Sequence, residues 1–215
     1  CHGEADKVVC PGILAQGRQQ QPSAIESRNM RKLKTIEMER LSLDEFRQAD
    51  KLPVIVVLDN VRSLYNVGSV FRSGDAFRIE AVYLCGITAT PPNAEIHKTA
   101  LGGEDSVTWR YFADTSEAVR ELKAQGRMVY AIEQAEGSTK LQNLELEPSA
   151  AGYAVVFGNE VKGVQQNVVD SCDGCIEIPQ FGTKHSLNVS VTAGIIVWEF
   201  ARRIMVPQQT LTHTD

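Results

Sequence analysis

Two unbroken apolar runs restrict the fold more than anything else in the chain. They are Val54-Ile-Val-Val-Leu58 and Tyr153-Ala-Val-Val-Phe157. Each is rich in β-branched residues and stops at polar or small ones, Asp59-Asn60 after the first and Gly158-Asn159-Glu160 after the second. A strand that must hide both faces cannot lie on a half-solvated sheet. It belongs inside a parallel sheet with helices on either side. Residues 80–86, 107–112, 128–133 and 175–178 read as further strands. Helical periodicity fills the intervals. Residues 66–77 form one helix, with Asn66 as N-cap and Val67, Val70, Phe71 and Phe77 on its inner face. Others are expected at 115–125, 164–171 and 187–205, with a short one near 95–100. The alternation predicts an α/β fold with a mostly parallel sheet flanked by helices and right-handed crossovers.

Residues 1–29 carry Gly, Gln or Ser at nine of 29 positions, show no periodicity and read as a flexible N-terminal arm. Residues 30–52 read as a helical extension in which Ser42-Leu-Asp-Glu45 fits a capping box. The main domain is expected over 53–215. Arg31, Lys32, Lys34 and Arg40 form the most basic local cluster, either a solvated helix face or a contact for RNA. The net charge of −5 gives no general attraction for nucleic acid, so any such binding must rest on local groups.

The five cysteines are odd in number and irregularly spaced, unlike a disulfide framework. Cys172-Asp-Gly-Cys175 reads as reduced thiols at a turn, with a redox or metal pair as the competing reading. The four histidines are scattered, and zinc wants four ligands, so no metal is expected. The start carries no apolar leader. The apolar stretch 187–206 is broken by Asn188, Glu199, Arg202 and Arg203, so it reads as a buried helix rather than a membrane span. A cytoplasmic location follows as the expectation.

Several site patterns are missing. No G-x-G-x-x-G follows the first strand, no G-x-x-x-x-G-K-[ST] occurs, and no G-x-S-x-G elbow surrounds a serine. What remains is two polar loops, one after 153–157 and one after 175–178. Loops at the carboxyl ends of strands are where an α/β sheet binds ligands.

Three blocks then carry a resemblance. They are Leu64-Tyr-Asn-Val-Gly-Ser-Val-Phe-Arg72, Phe157-Gly-Asn-Glu-Val-Lys-Gly163, and Ile178-Pro-Gln-Phe-Gly-Thr-Lys-His-Ser-Leu-Asn-Val-Ser190. In this order they resemble N-x-G-x-x-x-R, G-x-E-x-x-G and I-P-x-x-G-x-x-x-S-L-N-V-S of the SpoU/TrmH branch of the SPOUT RNA methyltransferases. The resemblance implies a C-terminal deep trefoil knot, a homodimer, and methyl transfer from S-adenosylmethionine to a ribose 2′-hydroxyl in tRNA or rRNA. The compact form favours tRNA. Gly74 and Arg78 depart from the family pattern, which more often has alanine and glycine there.

By the same resemblance Gly158, Ile178 and Leu187 contact the cofactor. Gly163 and Gly182 shape the loops, and Ile132 and Glu133 complete the pocket. Taken alone, Ile178 and Leu187 would read as core. Arg72 is assigned to activation of the 2′-hydroxyl. An arginine, with a pKa above about 12, is a poor base. It is therefore read as holding a phosphate or the developing alkoxide, with the proton passing to an RNA phosphate. Asn66 positions Arg72 or the ribose, Glu160 anchors Arg72 or the loop, and Ser186 and Asn188 orient loop and substrate. Alone, Ser186 and Asn188 would be a helix N-cap and first-turn residues. A non-catalytic RNA-binding protein of the same fold is the alternative from another class.

Overall fold

Strand β1 (Leu52–Asp59) has hydrogen-bonded parallel neighbours on both sides, β2 (Ile79–Cys85) and β6 (Tyr153–Phe157). Val56 stands opposite Val82 on one side and Val155 on the other. This is where the two apolar runs meet. Seen in the computed structural model, which describes residues 31–34, 37, 40–148, 150–184 and 186–206, the sheet has seven strands. β3 (Thr108–Phe112), β4 (Met128–Ile132), β5 (Thr139–Lys140) and β7 (Gly174–Glu177) complete it in the order β3-β2-β1-β6-β4-β7-β5. Every pairing is parallel.

The period-2 alternation of the strands divides the interior in two. Val54, Val56 and Leu58 face α2 (Leu64–Ala76), α3 (Ala94–Ala100) and α7 (Val189–Ile204), joining Phe71, Ile96 and Phe200 in one core cluster. Ile55 and Val57 face the opposite way, toward α5 (Thr115–Ala124) and α6 (Gln166–Ser171), with Leu122 and Val168. Phe71 and Phe200 are fully buried, and each such side chain contributes roughly 1.5–3 kcal/mol.

Several expectations shift in detail. The helix expected at 66–77 begins at Leu64, and its N-cap is Ser63, whose Oγ accepts the Asn66 N–H at 3.3 Å. Asn66 is thus inside the first turn, and its amide is turned to other partners. The helix expected at 187–205 starts at Val189, with Asn188 as N-cap. A short helix α4 (Gly103–Ser106) lies where only a loop was expected, as do β5 and the 3₁₀ turn Leu141–Asn143. Elements this short have too few residues to show a period. Of the helical extension, α1 (Leu43–Gln48) is present with its Ser42–Glu45 capping box.

The chain divides into two compact units at Arg40, so α1 belongs with the larger one. In the smaller unit Arg31 makes a two-pronged contact with Glu37 at 2.9 and 2.8 Å, which neutralises one member of the basic cluster. The expected arm over 1–29 lies outside the described residues. Among the described residues no helix is long and apolar enough to cross a membrane.

The two departures at Gly74 and Arg78 have local consequences. A Cβ at Gly74 would stand 2.7 Å from Cδ1 of the fully buried Ile79, so the glycine makes room for that side chain. Arg78 holds φ +50°, the left-handed region that favours glycine. Gly68 marks the closest approach of α2 and α3. A Cβ there would lie 2.2 Å from both the Ile96 carbonyl oxygen and Thr99 Oγ1. Gly68→Ala should therefore destabilise by about 1–3 kcal/mol, despite alanine's better helix propensity. Urea denaturation would register this as a lowered midpoint with an unchanged slope.

Candidate active site

The carboxyl ends of β4, β6 and β7 open onto one cavity of about 310 Å³. Six of the residues expected at a cofactor line it: Ile132 at the end of β4 and Glu133 after it, Gly158 and Gly163 after β6, Ile178 after β7, and Leu187 before α7. Leu187 is 40% exposed at this rim and is not a core residue. Gly182 does not line the cavity, and nothing lies within 4 Å of where its Cβ would be.

The loop after β6 is shaped from within. Asn159 and Gly163 exchange backbone hydrogen bonds at 3.0 and 2.8 Å. Asn159 Oδ1 accepts the N–H groups of Val161 and Lys162 at 3.0 and 3.2 Å, and its Nδ2 donates to the Asn60 carbonyl at 2.8 Å. Gly158 is required by the fold of this loop, since a Cβ would lie 2.0 Å from the Gly163 carbonyl carbon and the Val164 nitrogen. Gly163 holds φ +68°, and a Cβ there would lie 2.1 Å from Glu133 Oε2. That same oxygen accepts the Val164 N–H at 3.1 Å, so Glu133 ties the β4 end to the loop after β6.

A second set of bonds joins three of the five residues expected to be catalytic. Asn188 Nδ2 donates to Asn66 Oδ1 at 3.0 Å, and Asn66 Nδ2 donates to Glu160 Oε1 at 3.1 Å. Glu160 also accepts the backbone N–H groups of Arg62 and Ser63 at 3.0 and 2.9 Å. Asn188 Oδ1 meanwhile caps α7 by accepting from Ser190 and Val191 N–H at 2.9 and 3.3 Å. The start of α7, the first turn of α2 and the loop after β6 are thus held by side-chain amides, each bonded through both its oxygen and its nitrogen. Partial burial would raise the Glu160 pKa, but the donors from Arg62, Ser63, its own backbone and Asn66 outweigh this and hold it below the ordinary carboxylate range.

Ser186 and Glu160 line the cavity, whereas Asn66, Asn188 and Arg72 do not. Arg72 lies on the exposed side of α2 and has no hydrogen-bond or ion-pair partner among the described residues. The expected anchoring of Arg72 by Glu160 is not seen in the hydrogen bonds Glu160 makes, which go to Arg62, Ser63 and Asn66.

Lining residues that sequence reasoning passed over include Phe157, Asn159, Lys162, Gln180 and Thr192. Most sit inside the blocks already singled out, and Thr192 is one helical turn from Asn188. The spacing would have found them.

The thiols do not form a second site. Cys172 and Cys175 are free, and burial, reinforced by Asp173, pushes the Cys172 thiol up to about 12. Burial likewise raises Cys175, so neither is poised as a thiolate. Among the described residues no group of three or more His, Cys, Asp or Glu could hold a metal ion.

Glu160→Gln should lower stability by about 1 kcal/mol at neutral pH, because two backbone donors lose a charged acceptor in a partly solvated place. A depressed carboxylate stabilises fully above the ordinary glutamate pKa of about 4.3 and loses that effect as pH falls through its folded value. The gap between the two proteins should accordingly close in acid, as thermal unfolding from pH 7 to pH 3 (roughly) would show.

The geometry has its counterpart in known proteins. Residues 53–198 match the SpoU rRNA Methylase family. The chain is 31% identical over 160 residues to the 23S rRNA (guanosine-2′-O-)-methyltransferase RlmB of Neisseria meningitidis serogroup B, an alignment covering 74% of this chain and 62% of that protein. It spans about three fifths of the length of the curated relatives it matches. Among solved structures, the AdoMet-bound rRNA methyltransferase of Sinorhizobium meliloti superposes with a TM-score of 0.67 at 27% identity, over 75% of this chain and 61% of that one. The A. aeolicus TrmH/SpoU tRNA modifying enzyme gives 0.66 at 26% identity, over 75% and 81%. With the match running through both glycine-rich blocks and the capped start of α7, the chain belongs to the SpoU rRNA Methylase family.

Proposed function

We propose that this protein transfers a methyl group from S-adenosylmethionine to a ribose 2′-hydroxyl of RNA. The observation that carries the reading is the cavity at the ends of β4, β6 and β7, walled by Gly158, Ile178 and Leu187 with Ile132, Glu133 and Gly163. Its volume of about 310 Å³ lies within the range of small-ligand sites, and its lining mixes aliphatic side chains with loop backbone and a few polar groups. An adenosine moiety needs that mixture: apolar surface for the base and polar groups for its edges. When bound, the cofactor supplies an electrophilic methyl on a sulfonium.

The chain's own residues then have three tasks. Ile178 and Leu187 give the cavity apolar surface, while the self-closed loop of Asn159–Gly163 contributes backbone and polar groups to its lining. Asn188, Asn66 and Glu160 lock the α7 start to α2 and the loop after β6, so that Ser186 is presented at the rim in one geometry. Arg72, free of internal partners among the described residues, is available to an anion. It holds an RNA phosphate or the oxygen losing its proton and stabilises the charge that develops there. A guanidinium does not accept a proton at neutral pH, so the proton is relayed past an RNA phosphate to solvent water.

Both rRNA and tRNA enzymes stand among the similar proteins, so each class is a candidate, with tRNA retained as the first choice. The location assigned is the cytoplasm. The C-terminal part is read as knotted, which the insertion of β6 between β1 and β4 and the return of α7 to α2 support. A homodimer is supported by α7, which leaves Val191, Ile195 and Trp198 exposed at 52%, 37% and 48% along one stripe. Isolated apolar residues on a surface are ordinary, but a stripe at helical spacing marks an interface.

Arg72→Ala should leave cofactor binding unchanged and lower methyl transfer to unmodified tRNA or rRNA by roughly 10²–10³-fold. Mass spectrometry of the digested RNA should find a 2′-O-methyl nucleoside only with the unaltered protein. Near-full turnover by the variant would remove Arg72 from the mechanism. Ile195→Glu should convert a dimer to a monomer in sedimentation equilibrium, and a monomeric unaltered protein would remove the dimer assignment.

A further inference from the structure

A second cleft, of about 530 Å³, shares Asn159, Val161, Lys162 and Gly163 with the cavity described above and takes its other walls from the end of β1, the segments after β1 and β2, and Gln165. Its floor makes no demand on a ligand. The Asp59 carboxylate is fully buried and accepts from Asn60 Nδ2, Thr115 Oγ1 and both the backbone and side-chain N–H of Gln165. Asn60 Oδ1 is taken by the Ile87 N–H at 3.1 Å. What the cleft leaves unused is at its rim. Ile87 is 65% exposed and Val161 80%. Arg62 and Lys162 are exposed cations without a hydrogen-bond or ion-pair partner among the described residues.

Two aliphatic surfaces and two free cations around an opening of this size suit a ligand with a flat, weakly polar body and anionic edges. In a chain of net charge −5, two unpaired cations on one rim are a local reversal of sign. We propose that this cleft is a subsite for the nucleotide adjoining the methylation target in a single-stranded RNA segment. Ile87 and Val161 lie against its base, and Arg62 and Lys162 grip its phosphates. The inference rests on the RNA-methylating reading above and adds to it a place where RNA is held beside the reacting centre. Proteins hold single-stranded RNA by setting unstacked bases against side chains, most often aromatic rings or guanidinium planes, with phosphates on cations; here the surfaces offered are aliphatic, with Arg62 beside them.

Arg62→Ala and Ile87→Asp test the subsite, because both side chains lie outside the first cavity. Three quantities are measured on each: S-adenosylmethionine affinity by calorimetry, the salt dependence of binding to a single-stranded oligoribonucleotide, and kcat and KM on unmodified tRNA and rRNA transcripts. Cofactor affinity should not change, whereas KM for RNA should rise by about tenfold with a smaller change in kcat. The slope of log affinity against log salt should fall by about 0.7 in Arg62→Ala and be restored in Arg62→Lys, a rescue that a folding defect would not give. Unchanged RNA affinity, KM and salt slope in variants that bind cofactor normally would overturn the subsite and leave the methyltransferase reading standing. An unaltered protein that neither binds nor methylates RNA would overturn both.

Discussion

The carboxylate of Asp59 sits at the point on which the site depends. It has no solvent contact and receives four donors from three parts of the chain: Asn60 beside it, Thr115 at the start of α5, and Gln165 before α6. Removing a carboxylate from water costs several kcal/mol and is tolerated only where its lone pairs are met by hydrogen bonds. Here they are, at 2.6–3.0 Å. The bonds draw the ends of β1, the segment before α6 and α5 to one point. Asn60, next to it at φ +56°, extends the junction to the β2 loop through Ile87 and to the β6 loop through Asn159. Both clefts are built against the loop that this junction orients.

Polar side chains then do at the site what apolar packing does in the body. The Asn188–Asn66–Glu160 chain connects residues far apart in sequence, and its members have no spare donors or acceptors on the shared edges. Asn66 is the buried member and has both its oxygen and its nitrogen bonded, so a different arrangement of the chain would leave its amide without those partners. Beyond it, the Arg72, Arg62 and Lys162 side chains have no hydrogen-bond or ion-pair partner among the described residues. The cations at the end of α7 are by contrast already used: Arg202 and Arg203 both bind Glu199.

Much of this was legible in the residues. Tyr153–Phe157 and the run 54–58 declared themselves as doubly buried strands, and every residue of the first is buried. The two glycine-bearing loops declared the site. The pairing of β1 with β6 rather than with β4 was not legible, since periodicity describes a strand's faces and says nothing of its neighbours. Asn66 was misread as a cap for a physical reason. Ser63 offers the same oxygen three residues earlier, and a local pattern cannot tell which of two capping residues is drawn away by a distant carboxylate. Gly158 reads as a place where backbone meets a ligand, whereas its missing side chain makes room for the Gly163–Val164 backbone; Gly163, read as a loop-shaping residue, does hold φ +68° and leaves room for Glu133. The Ile87 cleft had no sequence signal, because its cations come from separate loops.

The order of strands also bears on how the chain is made. β1 is synthesised well before its second neighbour, β6, which arrives about a hundred residues later, and the last donors to Asp59 come from Gln165, 106 positions downstream. Until then one long edge of β1 stands unpaired, apolar on both faces, and its terminal carboxylate lacks half its partners. Such an edge is a template for joining another chain, and contacts this distant form slowly. The growing polypeptide therefore passes through a stage at which its most buried strand is its most exposed liability, and its reactive loops cannot be shaped until that stage is over.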